Sequence, residues 1–174
     1  MNFDLSDEQQ LVQDSVARFI QDNYDLEARQ ATVTGSDDFN KEHWATMAEL
    51  GWLGLTLPEA HGGFGGNQID AMVIMEQFGK GLVLEPFFAS VVLGARALSL
   101  AGTEDQCSRL LPGVIDGSRQ LALGYAEEQA RFDMHDVVTR AQADGEGFVI
   151  NGRKSMVQHG GSADQIIMLS LIHI

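Results

Sequence analysis

Side chains able to do chemistry are carried by two stretches late in the sequence, Glu127-Glu128-Gln129-Ala130-Arg131-Phe132-Asp133-Met134-His135-Asp136 and Lys154-Ser155-Met156-Val157-Gln158-His159. Asp133, His135 and Asp136 are close enough in sequence to suggest metal ligation, but three polar residues in a connection read more simply as a solvated loop. The five histidines, His43, His61, His135, His159 and His173, include no pair four residues apart, so no helix-borne metal site is expected. Cys107 stands alone: it permits no internal disulfide and no cysteine-based zinc site, and nothing near it would activate a thiolate. Gly62-Gly63-Phe64-Gly65-Gly66 is followed by neither Gly-Lys-Ser nor Gly-Lys-Thr, so it is not a phosphate loop, and no Gly-x-Ser-x-Gly elbow occurs. What remains is Arg131, whose guanidinium can grip an anion through two parallel hydrogen bonds, against the plainer reading of a solvated arginine.

Charge narrows the partners. The chain of 174 residues has a formal charge of -14, with 11 basic and 25 acidic side chains. Residues 119–154 hold five of the basic and six of the acidic ones, leaving that segment at -1 and the rest at -13. Duplex nucleic acid needs a basic face and is excluded as a partner, whereas the near-neutral segment can accept a phosphate-bearing cofactor. No apolar run approaches the roughly 20 residues that cross a bilayer, and an acidic start is unlike a targeting signal. A cytoplasmic protein is expected. At 44% hydrophobic residues a real core can form.

The elements that must position those stretches follow from spacing. Ser6 and Gln9 form a capping box ahead of an amphipathic helix with Leu11, Val12, Val16, Phe19 and Ile20 on one face. A polar stretch follows over 32–38, and Asn40 caps a helix ending near Leu50, where Gly51 can take positive φ and close it. Over 51–66 a glycine-dense turn, Pro58-Glu59-Ala60-His61-Gly62-Gly63-Phe64-Gly65-Gly66, lets backbone pass close to its neighbours, with Phe64 expected to anchor it by burial. Ile69, Met72, Val73, Glu76 and Phe78 predict a third helix with Glu76 at its rim, closed by Gly79 and Gly81. Pro86 opens an enclosed helix over 87–101. Thr103 and Gln106 cap a short helix that Pro112 is expected to disrupt. From Gln120 the period changes to two. Strands are predicted over 121–125, 137–140, 148–150, 154–158 and 166–171, with hairpins at Asp144-Gly145-Glu146-Gly147 and at Asn151-Gly152, the latter a type I′ candidate. Five helices and then an antiparallel meander give an α+β fold: an all-α N-terminal domain over 1–118 and part of a β domain over 119–174.

The order of signals resembles the acyl-CoA dehydrogenase family across the chain. The matching residues are Leu5-Ser6-Asp7-Glu8-Gln9, Leu50-Gly51-Trp52-Leu53-Gly54 with Pro58-Glu59 and Gly62-Gly63, Gly102-Thr103-Glu104-Asp105-Gln106 before Leu111-Pro112, and Asn151-Gly152-x-Lys154. The resemblance implies an N-terminal helical domain, a middle β domain, and a C-terminal helical bundle that this sequence lacks, with FAD held between the last two. It implies α,β-dehydrogenation of an acyl-CoA thioester, the α proton passing to a carboxylate of the missing bundle and the β hydride to the flavin. No catalytic residue is therefore expected here, and the fragment alone is expected to be inactive. Electron-transfer flavoprotein is the implied acceptor, and a homo- or hetero-oligomer the implied assembly.

The same resemblance marks the binding residues. Relatives run from the first strand into Thr-Glu-Pro and then Gly-Ser-Asp; here Glu127 and Asp133 match while the threonine, proline and serine do not. After the Asn-Gly turn, Trp-Ile-Ser or Trp-Ile-Thr packs on the flavin in relatives, and Met156-Val157-Gln158 stands there instead. A methionine sulfur can lie on an aromatic face and a glutamine can replace a hydroxyl. The implied cofactor contacts are Leu123, Tyr125, Ala126, Met156, Val157 and Gln158, and the implied substrate contacts Arg131 and Phe132. The run from Ala126 to Val137 is similar to the small subunit of pimeloyl-CoA dehydrogenase, a branch that pairs two related subunits. Two other readings stay open: a non-catalytic partner subunit, and a flavin acyl-CoA oxidase of the same fold. The sequence stops in an apolar run, 166–174, read as a strand, with 170–174 suspected of being foreign.

Overall fold

The computed structural model describes residues 4–171; the expectations for 172–174, at the end of the apolar run, and for His173 lie outside the described residues. Among the described residues, α1 (Asp7–Asn23), α2 (Leu26–Thr34), α3 (Lys41–Glu49), α4 (Gln68–Gly81), α5 (Arg96–Ala101) and α6 (Glu104–Ile115) precede β1 (Leu121–Gly124), β2 (Arg140–Asp144), β3 (Gly147–Asn151) and β4 (Gln165–Met168). Helices followed by strands are the α+β order the sequence predicts. No helix among the described residues is long and apolar enough to cross a membrane.

The caps form where their residues stand. Ser6 and Gln9 exchange hydrogen bonds at 3.2 and 3.0 Å, Thr103 and Gln106 do the same, and Asn40 accepts from Glu42 N and His43 N. Gln9 Nε2 also donates at 2.9 Å to Asp70 Oδ1, and Asp70 belongs to a second capping box with Asn67 at the head of α4. One amide thus ties the starts of α1 and α4 together. α2 escaped the sequence reading, which expected five helices and placed a polar stretch over 32–38. It buries none of its residues, so no apolar period marks it, and it stands on its Asp25 cap. The apolar faces are also narrower than expected: Val16, Val73 and Phe78 are buried, while Leu11, Ile69 and Met72 are exposed. Glu76 sits at the rim, paired with Lys80 at 2.9 Å.

Pro112 does not disrupt α6, which runs on to Ile115. A proline inside a helix costs about 3 kcal/mol. Continuing the helix buries Leu111 and Val114 completely, at roughly 1.5–3 kcal/mol each, so packing outweighs the lost hydrogen bond. The enclosed helix expected over 87–101 divides into a π-helix, Phe87–Ala95, and α5. Ser90 and Gly94, on this π segment, both face β1. The buried Ser90 hydroxyl accepts from Leu121 N at 3.0 Å, and a Cβ on Gly94 would fall 2.7 Å from Leu121 Cβ. Trp44 Nε1 adds a bond at 3.0 Å to Gly117 O on the connection into β1.

The turn over 51–66 uses glycine for two reasons. Gly51, Gly62 and Gly65 have φ of 78°, 92° and 67°, which side-chain-bearing residues rarely adopt. Gly63 and Gly66 permit close approach, since a Cβ there would lie 2.2 Å from Leu57 O and 2.5 Å from Leu55 O. Phe64 is not buried as expected; its exposed ring lies over Gly51 instead.

The strands depart further from expectation. β2 and β3 form the antiparallel hairpin predicted around Gly145, with Arg140 opposite Asn151 and Asp144 opposite Gly147. β1, however, pairs in parallel with β4, Leu121 opposite Gln165 and Gly124 opposite Met168. The long crossover a parallel pair requires is the stretch that carries the hairpin. Leu171 joins the two pairs, its N donating to Thr139 O and its O accepting from Ala141 N, both at 2.9 Å. Asn151-Gly152 makes no I′ turn: Asn151 does not have positive φ, and Gly152, at φ 158°, continues in extended form past Thr139, whose Oγ1 would lie 2.4 Å from a Cβ. The expected strands over 137–139 and 154–158 are irregular, because their amides and side chains serve Glu127 and Ala126 rather than a ladder.

One polar cluster sits among the helices. Tyr24, the C-cap of α1, donates its hydroxyl to Glu85 Oε2 in a short hydrogen bond, and His43 Nδ1 lies 3.5 Å from Glu85 Oε1. Burial first, then the bond to Glu85 and its charge, push the Tyr24 phenol well above its usual range. A group held protonated in the fold contributes stability below its unfolded value, near pH 10, and loses it as pH rises beyond that. The ultraviolet phenolate signal of Tyr24 should therefore appear only with unfolding in alkali, and Tyr24→Phe should remove that late step; a Tyr24 signal rising before the helical circular dichroism falls would contradict this placement.

Candidate functional site

The two chemistry-bearing stretches meet. β1 ends at Gly124, and the next two carbonyls turn toward the segment after β3: Tyr125 O accepts from Lys154 Nζ at 3.2 Å and Ala126 O from Ser155 N at 2.9 Å. Met168 of β4 lies on the other side, its sulfur 2.9 Å from where a Cβ of Gly124 would stand. Tyr125, Ala126 and Met156 are thereby brought side by side at the C-terminal end of β1. Leu123 is half-buried within the strand, Val157 half-buried, and Gln158 exposed beyond them. Met156 is 89% exposed, which leaves its thioether free to lie against a planar ligand.

At the centre is a buried ion pair. Lys154 Nζ lies 2.6 Å from Glu127 Oε1, with both side chains no more than 2% exposed. The same carboxylate accepts from Thr139 N at 3.1 Å, Val138 N at 2.8 Å and Gln129 Nε2 at 2.8 Å. With Lys154 foremost among these donors, the Glu127 carboxyl is held well below the usual carboxylate range. Its contribution to stability is therefore present above the ordinary carboxylate pKa and is lost only as pH falls through the lowered one. Glu127 and Lys154 are two of the residues that match the family pattern, and the structure shows that they are each other's partners.

Glu127 closes a loop. Between it and Val138 the chain makes successive turns, with Ala130 N donating to Glu127 O at 3.2 Å and Asp133 N to Ala130 O at 2.8 Å. At the tip, Arg131 has φ 50° and Phe132 is 100% exposed. Non-glycine residues in the left-handed region cost of order 1–3 kcal/mol and gather at functional sites. Three of the four found among the described residues, Arg131, Met156 and His159, fall in these two loops. Asp133 and His135 are exposed and interact mainly with one another, and no group of three metal-ligating side chains occurs among the described residues.

His159 was not foreseen as a structural contact. Its ring stands edge-on to Phe39 at 6.3 Å between centroids, docking the 156–160 segment against the helices beside α3. Nothing in the sequence links residues 120 positions apart. Burial lowers the His159 pKa, opposed by the charges of Asp38 and Glu85. A proton is then taken up by the unfolded chain before the folded one, so this contact should lose stability as pH falls below about 6.5, the unfolded value. Acid denaturation of His159→Gln should show a shallower pH dependence there than the wild type; identical slopes would remove His159 from the docking contact.

Residues 6–118 match the model of the acyl-CoA dehydrogenase N-terminal domain. The chain is 32% identical over 173 residues to YngJ of Bacillus subtilis (strain 168), a probable acyl-CoA dehydrogenase, covering 98% of this chain and 45% of that protein. Butyryl-CoA dehydrogenase from Megasphaera elsdenii superposes with a TM-score of 0.83 at 27% identity, over 98% of this chain and 45% of the other. A variant of the steroid ACAD Tcur3481-Tcur3483 does so with a TM-score of 0.85 at 28% identity, over 95% and 45%. The chain spans a little under half the length of the relatives it matches.

Proposed function

The chain belongs to the acyl-CoA dehydrogenase family, and on that premise we propose that the protein carrying it is an FAD-dependent enzyme that removes two hydrogens from the α and β carbons of an acyl-CoA thioester. One observation supports this above the others: the backbone after β1 and the segment 154–158 lie together and present Tyr125, Ala126 and the exposed Met156 on adjoining surface. These residues fit a flavin in the sense that the exposed thioether of Met156 suits the face of a flat aromatic ring. When bound, FAD supplies the hydride acceptor. The residues of this chain hold and orient: Leu123, Tyr125, Ala126, Met156, Val157 and Gln158 on the cofactor side, Arg131 and Phe132 on the acyl-CoA side, where a guanidinium and an exposed ring suit a phosphate and an adenine. Glu127, the buried carboxylate between the loops, is committed to Lys154 and three further donors and is not free to act as base. By the family resemblance the base belongs to a C-terminal helical bundle, so these 174 residues by themselves should bind no FAD tightly and turn over no acyl-CoA. Residues 1–118 act as the helical domain and those from 119 on as part of the β domain, in a cytoplasmic oligomer that passes electrons to an electron-transfer flavoprotein.

A non-catalytic partner subunit is the second reading. It is favoured by Ala126, Phe132 and Met156, which replace a hydroxyl, a further hydroxyl and an indole of the family pattern. The whole protein, purified as expressed, separates the two. A yellow protein whose visible flavin band is bleached anaerobically by acyl-CoA is an enzyme; a colourless one that takes up no added FAD is a partner subunit.

A further inference from the structure

We propose that Glu127 is a positioning residue which, through Lys154, sets the two ligand-facing loops at a fixed spacing, so that the flavin contacts at 156–158 and the acyl-CoA contacts at 131–132 work as one unit. This deepens the functional reading above and rests on it.

The geometry carries it. Glu127 stands at the neck of the loop that bears Arg131 and Phe132. Its carboxylate reaches across that neck to Val138 N and Thr139 N, 11 and 12 residues on, and so closes the loop on itself. On the same oxygen as Thr139 it holds Lys154, two residues before Met156. The Lys154 ammonium in turn reaches Tyr125 O, so one lysine spans the end of β1 and the loop neck. Ser155 N completes the link on Ala126 O. Neither loop is held by regular secondary structure: residues 125–139 and 152–164 contain no strand or helix. Nor does apolar burial fix their tips, since Phe132 and Met156 are almost wholly exposed. A buried charge pair with its remaining lone pairs satisfied is directional in a way apolar packing is not, and removing one member leaves the other uncompensated. The left-handed backbone at Arg131 and Met156 is held against its own preference on either side of this pair.

The test uses the whole protein with Glu127→Gln, Lys154→Met, the double variant, and Lys154→Arg as the charge-conserving control. Each single variant should weaken FAD binding about tenfold or more, and the double variant should be no weaker than the singles, because partners in one network are not additive. With FAD added to saturation, both singles should still raise the KM for acyl-CoA by about tenfold while kcat changes less than about threefold; a merely structural role would not produce that split once the cofactor site is full. Lys154→Arg should recover most of both losses. Additive effects, or a KM that returns to the wild-type value at saturating FAD, would overturn the proposal. If Glu127→Gln does not fold, Lys154→Met carries the test, since it leaves the carboxylate its Val138, Thr139 and Gln129 donors. A wild-type protein that binds no FAD would mean that the functional reading has failed. The link between the loops is then judged on amide exchange alone: Val138, Thr139 and Ser155 should exchange at least about tenfold faster in Lys154→Met, with α1 to α6 unchanged, and equal rates would overturn it.

Discussion

Phe87→Ala should cost about 3–5 kcal/mol of folding stability, a large share of the roughly 5–15 kcal/mol that holds a domain folded. Phe87 is the largest of the fully buried side chains and opens the π-helix that packs on β1. Its ring meets Phe78 edge-on at 5.3 Å; Phe78 meets Trp52 at 6.1 Å, and Trp52 meets Phe19 of α1 at 5.4 Å. Truncation would leave a cavity beside Phe78, and this chain of edge-to-face contacts would lose its first member. In urea the midpoint should fall with the slope unchanged, and Phe87→Leu should recover most of the loss. A cost below about 1 kcal/mol, little more than one buried methylene group is worth, would show that the core is not centred here.

Gly63→Ala should be nearly as damaging, about 3 kcal/mol, although it adds one methyl group. That methyl would sit 2.2 Å from Leu57 O and 2.5 Å from Leu57 C. Leu57 cannot retreat, because its side chain is fully buried and its carbonyl accepts from Gly65 N at 2.9 Å. Gly63 N is itself committed to Pro58 O at 3.0 Å. Gly79 provides the opposite sign in the same assay. It lies within α4, and a methyl group there would meet no side chain and no backbone beyond its own helix within 4 Å, so Gly79→Ala should stabilise by about 0.5–1 kcal/mol through the unfolded state. If both substitutions moved the melting temperature in the same direction, the close-approach account of the turn would be wrong.

These two glycines show what the sequence could and could not convey. That the turn needs glycine was legible from its density and from the flanking proline; which glycines serve positive φ and which serve close approach was not, because that depends on where Leu55 and Leu57 return. Caps were legible because both partners lie within three residues of one another, as at Ser6 and Gln9. Pro112 and α2 were misread for one reason: local propensity and periodicity decide only where packing does not, and Leu111 and Val114 outweigh a proline while α2 buries nothing. The parallel pairing of β1 with β4 joins residues 44 apart, and the Phe39–His159 contact joins residues 120 apart. Neither leaves a trace in local pattern. The candidate site was half legible. Its residue types and the motif positions of Glu127 and Lys154 stood out, but only the fold shows that these two charges meet and that Ser155 N, next to Met156, bonds Ala126 O.

The central claim is that the end of β1 and the segment after β3 form the face on which FAD rests. Amide hydrogen exchange of the whole protein, with and without FAD, tests it most directly. Slowed exchange confined to residues 123–126 and 155–158 is the predicted result. Protection that spared those residues and appeared instead around Tyr24, His43 and Glu85 would contradict it.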